Sequence, residues 1–137
     1  MVDGTELVEL EDRWLLPYRG MQVTQICVSY QLTLVLDGGA QVDLEAEAVL
    51  SEGPLRASDV VTSRLAPERQ EVTPALALFG TTLLSSVAFK SGLLRLVFDS
   101  GMHLNVKPDA GYEAWSVRGP ESLCLVCMPG GDVAVWQ

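Results

Sequence analysis

Residues 34–44 read LVLDGGAQVDL, and residues 96–106 read LVFDSGMHLNV. In both stretches an apolar run leads into an Asp-x-Gly turn, and alternating apolar and polar residues follow. Aspartate bonds to local turn amides, and glycine takes a positive φ without steric cost. Each stretch therefore predicts a β-hairpin, and the same pattern occurs twice in one chain.

The likeness extends to an internal repeat that covers about residues 20–50 and 80–110. An alternating apolar segment precedes each hairpin, so each copy predicts three strands. In the second copy, Ser91-Gly92 predicts a tight turn between the first two strands. The first copy has no Gly or Pro between residues 21 and 36, so a long, bent first strand is expected there.

The remaining segments predict one short helix and further strands. Thr73-Pro74, an apolar run and Gly80 are typical of a short helix with a Thr cap and a Gly just past its end. A polar loop is expected at residues 66–72. Strands are expected at residues 60–65, 113–118, 123–127 and 132–136, and the last two form a terminal hairpin. Residues 7–10 fit either a strand or a helical turn, and residues 14–16 are a second short candidate.

These segments together predict a mainly β fold in a single domain, residues 1–137. We expect an antiparallel sheet, curled or in two layers, built from two repeated three-stranded units plus a C-terminal hairpin. One short helix lies between the repeats in this prediction.

Length and composition bound the class of protein. With 137 residues, 48% of them hydrophobic, the chain can build one core without disulfides. The N-terminus lacks the cationic flank and the apolar run of a secretory signal, and no apolar run is long enough for a membrane span, so the cytoplasm is the expected location. An odd number of cysteines in such a chain favours reduced thiols.

Charge is unevenly distributed along the chain. The formal net charge is −9, and residues 1–52 hold ten acidic and two basic residues, a net −8. Binding to nucleic acid or to an anionic membrane depends on Lys and Arg that neutralise phosphates. The sequence therefore predicts neither of those partners, and a basic protein is the more natural one.

The strongest candidate site is an acidic stripe on residues 41–49, which read as one strand. Asp43, Glu45 and Glu47 alternate with apolar residues, so one face is apolar and the other carries three carboxylates. Neighbours on one face of a strand are about 7 Å apart, close enough for like charges to repel. A cationic partner would relieve that repulsion.

The second copy of the repeat provides an internal control for this stripe. Its aligned residues are Asn105 for Asp43 and Lys107 for Glu45, so the fold does not require acids at these positions. Two interpretations are open: the stripe binds a partner, or it protects a sheet edge from pairing with other chains. A glycosidase carboxylate pair is disfavoured because no substrate-binding aromatic residue accompanies it on this strand.

The predicted partner surface also takes in residues outside the stripe. It includes the N-terminal acids Glu9, Glu11 and Asp12, and it includes Trp115. Tryptophan brings a large contact area and a polar handle to an interface, although it is just as typical of a partly buried core.

Residues that could carry chemistry are few. His103 is the only histidine, and its strand position predicts a side chain that faces solvent. Cys124 and Cys127 have C-x-x-C spacing, but residues i and i+3 of a strand point to opposite faces, and zinc would need two further ligands. Buried thiols are favoured over this weak metal alternative. No catalytic residue and no cofactor are predicted, and the enzyme class is disfavoured.

The chain resembles a family of small actinobacterial proteins classed only as a domain of unknown function. The likeness spans residues 14–136, and the motifs that carry it are LVLDGG (34–39), VAFKSG (87–92), YEAW (112–115), CMPGG (127–131) and AVW (134–136). These are turn and core residues, so the resemblance implies no catalytic residue. In size, charge and strand content the chain is loosely similar to the immunity proteins of bacterial polymorphic toxin systems, which bind and block one toxin domain.

The sequence thus favours a non-enzymatic module that binds a basic protein, including an immunity-type inhibitor. The alternative is a small-molecule or metal sensor with its ligand between the repeat units or at Cys124 and Cys127. The sequence does not predict the oligomeric state of the protein.

Overall fold

The computed structural model describes residues 6–137, which form two antiparallel sheets around one hydrophobic core. Residues 1–5, which the sequence includes in the predicted domain, lie outside the described part. The strands are β1 (Val8–Glu9), β2 (Arg13–Leu15), β3 (Val23–Val28), β4 (Leu32–Leu36), β5 (Ala40–Leu44), β6 (Ala48–Ser51), β7 (Thr62–Leu65), β8 (Leu83–Phe89), β9 (Leu94–Phe98), β10 (His103–Val106), β11 (Trp115–Arg118), β12 (Cys124–Cys127) and β13 (Val133–Trp136). The prediction of a mainly β fold is confirmed.

Seven strands form one sheet in the order β1-β2-β8-β9-β10-β6-β7, and six form the other in the order β13-β12-β11-β5-β4-β3. Alternation along each strand buries one face of each sheet. Leu34, Val42 and Val117 lie side by side on β4, β5 and β11 and are fully buried. Leu96 and Leu104 form a matching buried row on β9 and β10.

Each predicted three-stranded unit lies in a different sheet, as β3–β5 and as β8–β10. The two units meet at their first strands. Gly80 N donates to the carbonyl of Val23 at 2.9 Å, and Gly20 N donates to the carbonyl of Leu83 at 2.8 Å. The register of both first strands shifts at the same place, after Val23 and after Leu83.

The two Asp-x-Gly turns make equivalent contacts. The carboxylate of Asp37 accepts from Gln22 N at 2.9 Å, and that of Asp99 accepts from Thr82 N at 3.1 Å. Gln22 and Thr82 are themselves an isolated bridge pair between the units. Both aspartates therefore tie a hairpin turn to the junction of the two sheets.

The lack of Gly and Pro predicted a long, bent first strand in the first copy, and that prediction is wrong. β3 ends at Val28 and β4 begins at Leu32. Ser29 N donates to the carbonyl of Gln31 at 2.9 Å, and the Ser29 hydroxyl accepts from Gln31 N at 3.2 Å. These serine hydrogen bonds close a tight turn without a glycine.

Residues 41–49 are not one strand either. β5 ends at Leu44, and β6 begins at Ala48 in the other sheet. Glu45 N and Ala46 N both donate to the carbonyl of Ala114, at 2.9 and 3.0 Å. This double contact ends the regular pairing of β5 with β11, and the chain crosses between the sheets at residues 45–47.

The connector between the units differs in detail from the prediction. It contains two 3-10 helices, Pro67–Arg69 and Thr73–Leu78, where the sequence favoured a polar loop and one Thr-capped helix. Val72 occupies the N-cap position of the second helix, and no side chain caps it. Its buried Ala75 and Leu78 pack on the core instead. No helix of residues 6–137 is long and apolar enough to cross a membrane.

Candidate functional site

Asp43 lies on the outward face of β5, as the alternation predicted, but its side chain is only 4% exposed. Five polar side chains surround the carboxylate and donate to it: Thr33 Oγ1 at 2.6 Å, Arg118 Nη2 at 2.9 Å, Gln41 Nε2 at 3.2 Å, Gln31 Nε2 at 3.3 Å and Ser116 Oγ at 3.4 Å. Asp43, predicted as part of the partner-binding stripe, is therefore covered by its own donors and presents no open carboxylate to a partner. β5 is also an interior strand, so Asp43 does not protect a sheet edge.

Glu45 and Glu47 lie at the crossover between the sheets, not beside Asp43 on one strand. The pKa of Glu45 is raised, first by partial burial and then by the neighbouring carboxylates of Glu113 and Asp43. The ion pairs found in residues 6–137 include neither Glu45 nor Glu113. Glu45 and Glu113 therefore repel each other and lack a paired cation in the described structure.

Further acids gather around Glu47. Arg69 is shared by Glu47, Glu68 and Glu71, at 3.7, 4.0 and 3.4 Å. The pKa of Tyr112 is raised, chiefly by burial and next by Asp109 and Glu68. We define the acidic crossover surface as Glu45, Glu47, Glu68, Asp109 and Glu113.

A cleft of about 550 Å³ opens at this surface, and we call it the acidic cleft. Glu47, Glu68, Asp109 and Tyr112 line it, together with the apolar side chain of Leu55. Arg64 and Lys107 also line the cleft. No sequence pattern indicates Glu68, Asp109 and Glu113, because each lies far from residues 41–49 along the chain and only the fold brings them together.

The N-terminal acids lie elsewhere. Glu9 pairs with Lys90 at 2.6 Å, and Asp12 pairs with Arg13 at 2.9 Å. The hydrogen bond from Arg13 lowers the pKa of Asp12. β1 and β6 are five strand positions apart in the seven-stranded sheet, or about 24 Å at about 4.8 Å per strand. The sequence predicted that Glu9, Glu11 and Asp12 share one surface with the crossover acids, but this distance separates the two groups.

Residues 14–137 match the pattern of DUF6188, described as a family of unknown function. The chain belongs to DUF6188. No curated protein and no solved structure matches it.

Several residues that carry the sequence resemblance meet at one end of this DUF6188 fold. Trp115 Nε1 donates to the carbonyl of Gly92 at 2.8 Å, and the Cys127 thiol donates to the same oxygen at 3.4 Å. A Cβ on Gly92 would lie 2.8 Å from the Cα of Gly131. Because Trp115 is fully buried here, it cannot contact a partner, and its predicted interface role is corrected to a core role.

The cysteines of the DUF6188 chain are separated. Cys124 is partly exposed on β12, whereas Cys127 is buried and its pKa is raised by that burial. Cys27 lies on β3, at the far end of the same sheet. Within residues 6–137, no three His, Cys, Asp or Glu side chains are grouped as a metal site.

His103 is partly buried on the outward face of β10. Its pKa is lowered, first by burial and then by the positive charges of Arg95 and Arg56. It lines a second cleft, on the outward face of the seven-stranded sheet.

Proposed function

We propose that this protein is a non-enzymatic module that binds a basic protein through the acidic crossover surface. The observation that carries the proposal is the pair Glu45 and Glu113, whose carboxylates interact unfavourably and take part in none of the ion pairs of the described residues. A Lys or Arg from a partner would convert this repulsion into attraction. The strongly negative net charge of −9 would also speed the encounter with a basic surface.

An aromatic anchor lies beside these acids. Tyr112 is 40% exposed and lines the acidic cleft together with Leu55, which is 45% exposed. Binding energy at protein interfaces is concentrated in such aromatic residues, with charged residues around them that determine orientation and specificity. A cationic side chain of the partner could enter the cleft between Tyr112 and Glu47.

The test compares two double charge reversals with equal change in net charge. Glu47→Lys/Glu113→Lys alters the acidic crossover surface, and Glu11→Lys/Glu52→Lys alters exposed acids outside it. Proteins retained from the host by tagged wild type are identified, purified and titrated against all three forms. We expect the crossover variant to bind at least about tenfold more weakly, the control to bind like wild type, and added salt to weaken the wild-type complex.

Equal binding by all three forms, or no dependence on salt, would show that the crossover acids do not form the interface. Loss of binding in both variants would point to net charge alone and would also contradict the proposal. Circular dichroism of each variant establishes that it is folded before the comparison.

A narrower form of this proposal is an immunity-type inhibitor. It rests on class-level similarity in size, acidity and strand content. If it is correct, co-expression of this chain with the captured basic protein will relieve that protein's toxicity, and the crossover variant will not. A captured protein that is harmless alone rules out this narrower form and leaves the binding proposal standing.

The acidic cleft supports a second candidate function, a small-molecule sensor. Its volume of about 550 Å³ and its mixed apolar and charged lining suit an organic cation. Anything that binds only the folded state raises the melting temperature. A panel of amines and of divalent metals, including zinc for Cys124 and Cys127, tests this alternative, and a panel without any shift removes it.

A further inference from the structure

The second cleft lies under the loop of residues 52–61, which joins β6 to β7. Residues 54–56 of this loop and the outward face of the seven-stranded sheet line an open cleft of about 530 Å³, which we call the basic cleft. Arg56 comes from the loop, Ser85 from β8, Arg95 from β9, and His103 and Asn105 from β10. Four separate segments thus point hydrogen-bonding side chains at one space.

The charges around this space have one sign. Arg56 and Arg95 carry the positive charge, His103 lines the basic cleft beside them, and no carboxylate lines it in the described structure. None of the three occurs among the ion pairs of residues 6–137. The pKa of His103 is lowered first by burial, and the positive charges of Arg95 and Arg56 lower it further. Such a concentration of positive charge is unexpected in a chain with a net charge of −9.

Arg95 is held in place without a counter-ion. Its guanidinium lies 5.2 Å from the centre of the Phe89 ring, and the guanidinium of Arg13 lies 4.6 Å from the same ring. The Nε of Arg95 is buried and has no hydrogen-bond partner within the described chain. The ring of Phe89, and not a carboxylate, therefore holds the guanidinium, and no ion pair of the described residues neutralises its charge.

We propose that the basic cleft binds a small phosphomonoester. A carboxylate is satisfied by the planar fork of one arginine, whereas a phosphate dianion presents three terminal oxygens to donors from several directions. Arg56, Arg95, His103, Ser85 and Asn105 supply such donors. Leu55 and Val97, which also line the cleft, provide an apolar surface for the organic part of the ester.

The test uses the imidazole of His103 as a reporter, because it is the only histidine in the chain. Its carbon-bound proton resonances are followed by NMR at a fixed pH near 7, where a phosphomonoester is largely dianionic. The probes are phenyl phosphate, inorganic phosphate and benzoate. We expect saturable shifts with phenyl phosphate, weaker binding of inorganic phosphate, and binding of benzoate at least about tenfold weaker than that of phenyl phosphate.

Two variants and one matched control locate the site. Arg95→Gln removes the guanidinium that stacks on Phe89. Arg56→Gln removes an exposed guanidinium on the loop, and this change does not disturb Phe89. Each should weaken phenyl phosphate binding by at least about tenfold, whereas Arg19→Gln, which changes an exposed arginine outside the cleft, should leave it unchanged.

The proposal is overturned if phenyl phosphate causes no saturable shift, if benzoate binds equally well, or if Arg19→Gln weakens binding as much as Arg56→Gln. Tighter binding of inorganic phosphate than of phenyl phosphate would also overturn it, because the site would then recognise the free anion. The outcome is independent of the proposed protein partner, whose test changes residues outside this cleft.

Discussion

The guanidinium of Arg118 reaches the carboxylate of Asp43 from the neighbouring strand, with Nη2 2.9 Å from Oδ2. The two side chains differ sharply in exposure, at 58% for Arg118 and 4% for Asp43. The arginine therefore remains largely hydrated, whereas the aspartate depends on protein donors. That asymmetry predicts how each partner contributes to stability.

Asp43→Ala should lower the free energy of unfolding by about 1.5–3 kcal/mol, because buried donors such as the Thr33 hydroxyl lose a charged acceptor. Arg118→Ala should cost less than about 1 kcal/mol, because this ion pair is half exposed and the carboxylate keeps its other donors. Urea denaturation of both variants measures the difference. Equal losses, or an Asp43→Ala variant as stable as wild type, would contradict this account of the network.

Gly92 and Gly39 form a matched pair for testing the contact between the two sheets. Both have positive φ, +102° and +83°, but only Gly92 faces backbone at a distance that a Cβ cannot occupy. Gly39→Ala should cost about 1 kcal/mol through conformational strain alone. Gly92→Ala should cost about 3 kcal/mol or more, because it pushes the turn away from Gly131 and from Trp115 Nε1. Thermal unfolding that ranks the two variants equally would mean that the close approach is not a constraint.

The equivalent turn contacts of Asp37 and Asp99 predict equivalent energies. Each Asp→Ala variant should lose about 1 kcal/mol, because each removes one hydrogen bond to a backbone N–H. The two N–H groups belong to the bridge pair Gln22 and Thr82, so the double variant should deviate from additivity by about 0.5 kcal/mol or more. A double-mutant cycle in urea measures the coupling, and strict additivity would indicate that the two turns are independent.

The raised pKa of Glu45 predicts a pH dependence of stability. The folded state binds this proton more tightly than the unfolded state, so the contribution of Glu45 to stability falls as the pH rises from about 4.5 through its folded-state pKa. Glu45→Gln cannot ionise, so it should be more stable than wild type near pH 7. The advantage should vanish when Glu45 is protonated.

Melting temperatures between about pH 4 and 8 measure this effect. Glu113→Gln should give a smaller gain near pH 7, because it removes one of the causes of the shift and leaves the burial of Glu45 unchanged. Glu52→Gln, at an exposed glutamate away from the crossover, is the control for loss of one negative charge. A melting-temperature difference between Glu45→Gln and wild type that does not change with pH would contradict the prediction.

Local patterns predicted the strands and hairpins well. The Asp-x-Gly turns at Asp37 and Asp99 join the expected strands, because turn chemistry and alternation act over a few residues. The turn at Ser29 was missed because serine hydrogen bonds replaced the usual glycine. The second 3-10 helix has Val72 at its N-cap position, one residue before the predicted Thr73. Packing of Ala75 and Leu78 on the core stabilises this helix without a capping side chain.

The position of the candidate acids was predicted less well, because it depends on a long-range contact with Ala114. Its carbonyl accepts hydrogen bonds from Glu45 N and Ala46 N and thereby ends β5, although it comes from a distant part of the chain. No pattern within residues 41–49 reports that contact. The alternation holds through Leu44, but residues 45–47 then cross between the sheets and carry Glu45 and Glu47 off the face of β5.

Residue order alone established the mainly β class, the two hairpins and the acidic character, because these depend on neighbours along the chain and on composition. The fold itself determined which carboxylates stay open, with Asp43 covered and Glu45 beside Glu113. It also gathered Arg56, Arg95 and His103 into a basic cleft inside an acidic protein. Burial and electrostatic interaction depend on distance in space, and strand pairing makes neighbours of residues that the sequence keeps far apart.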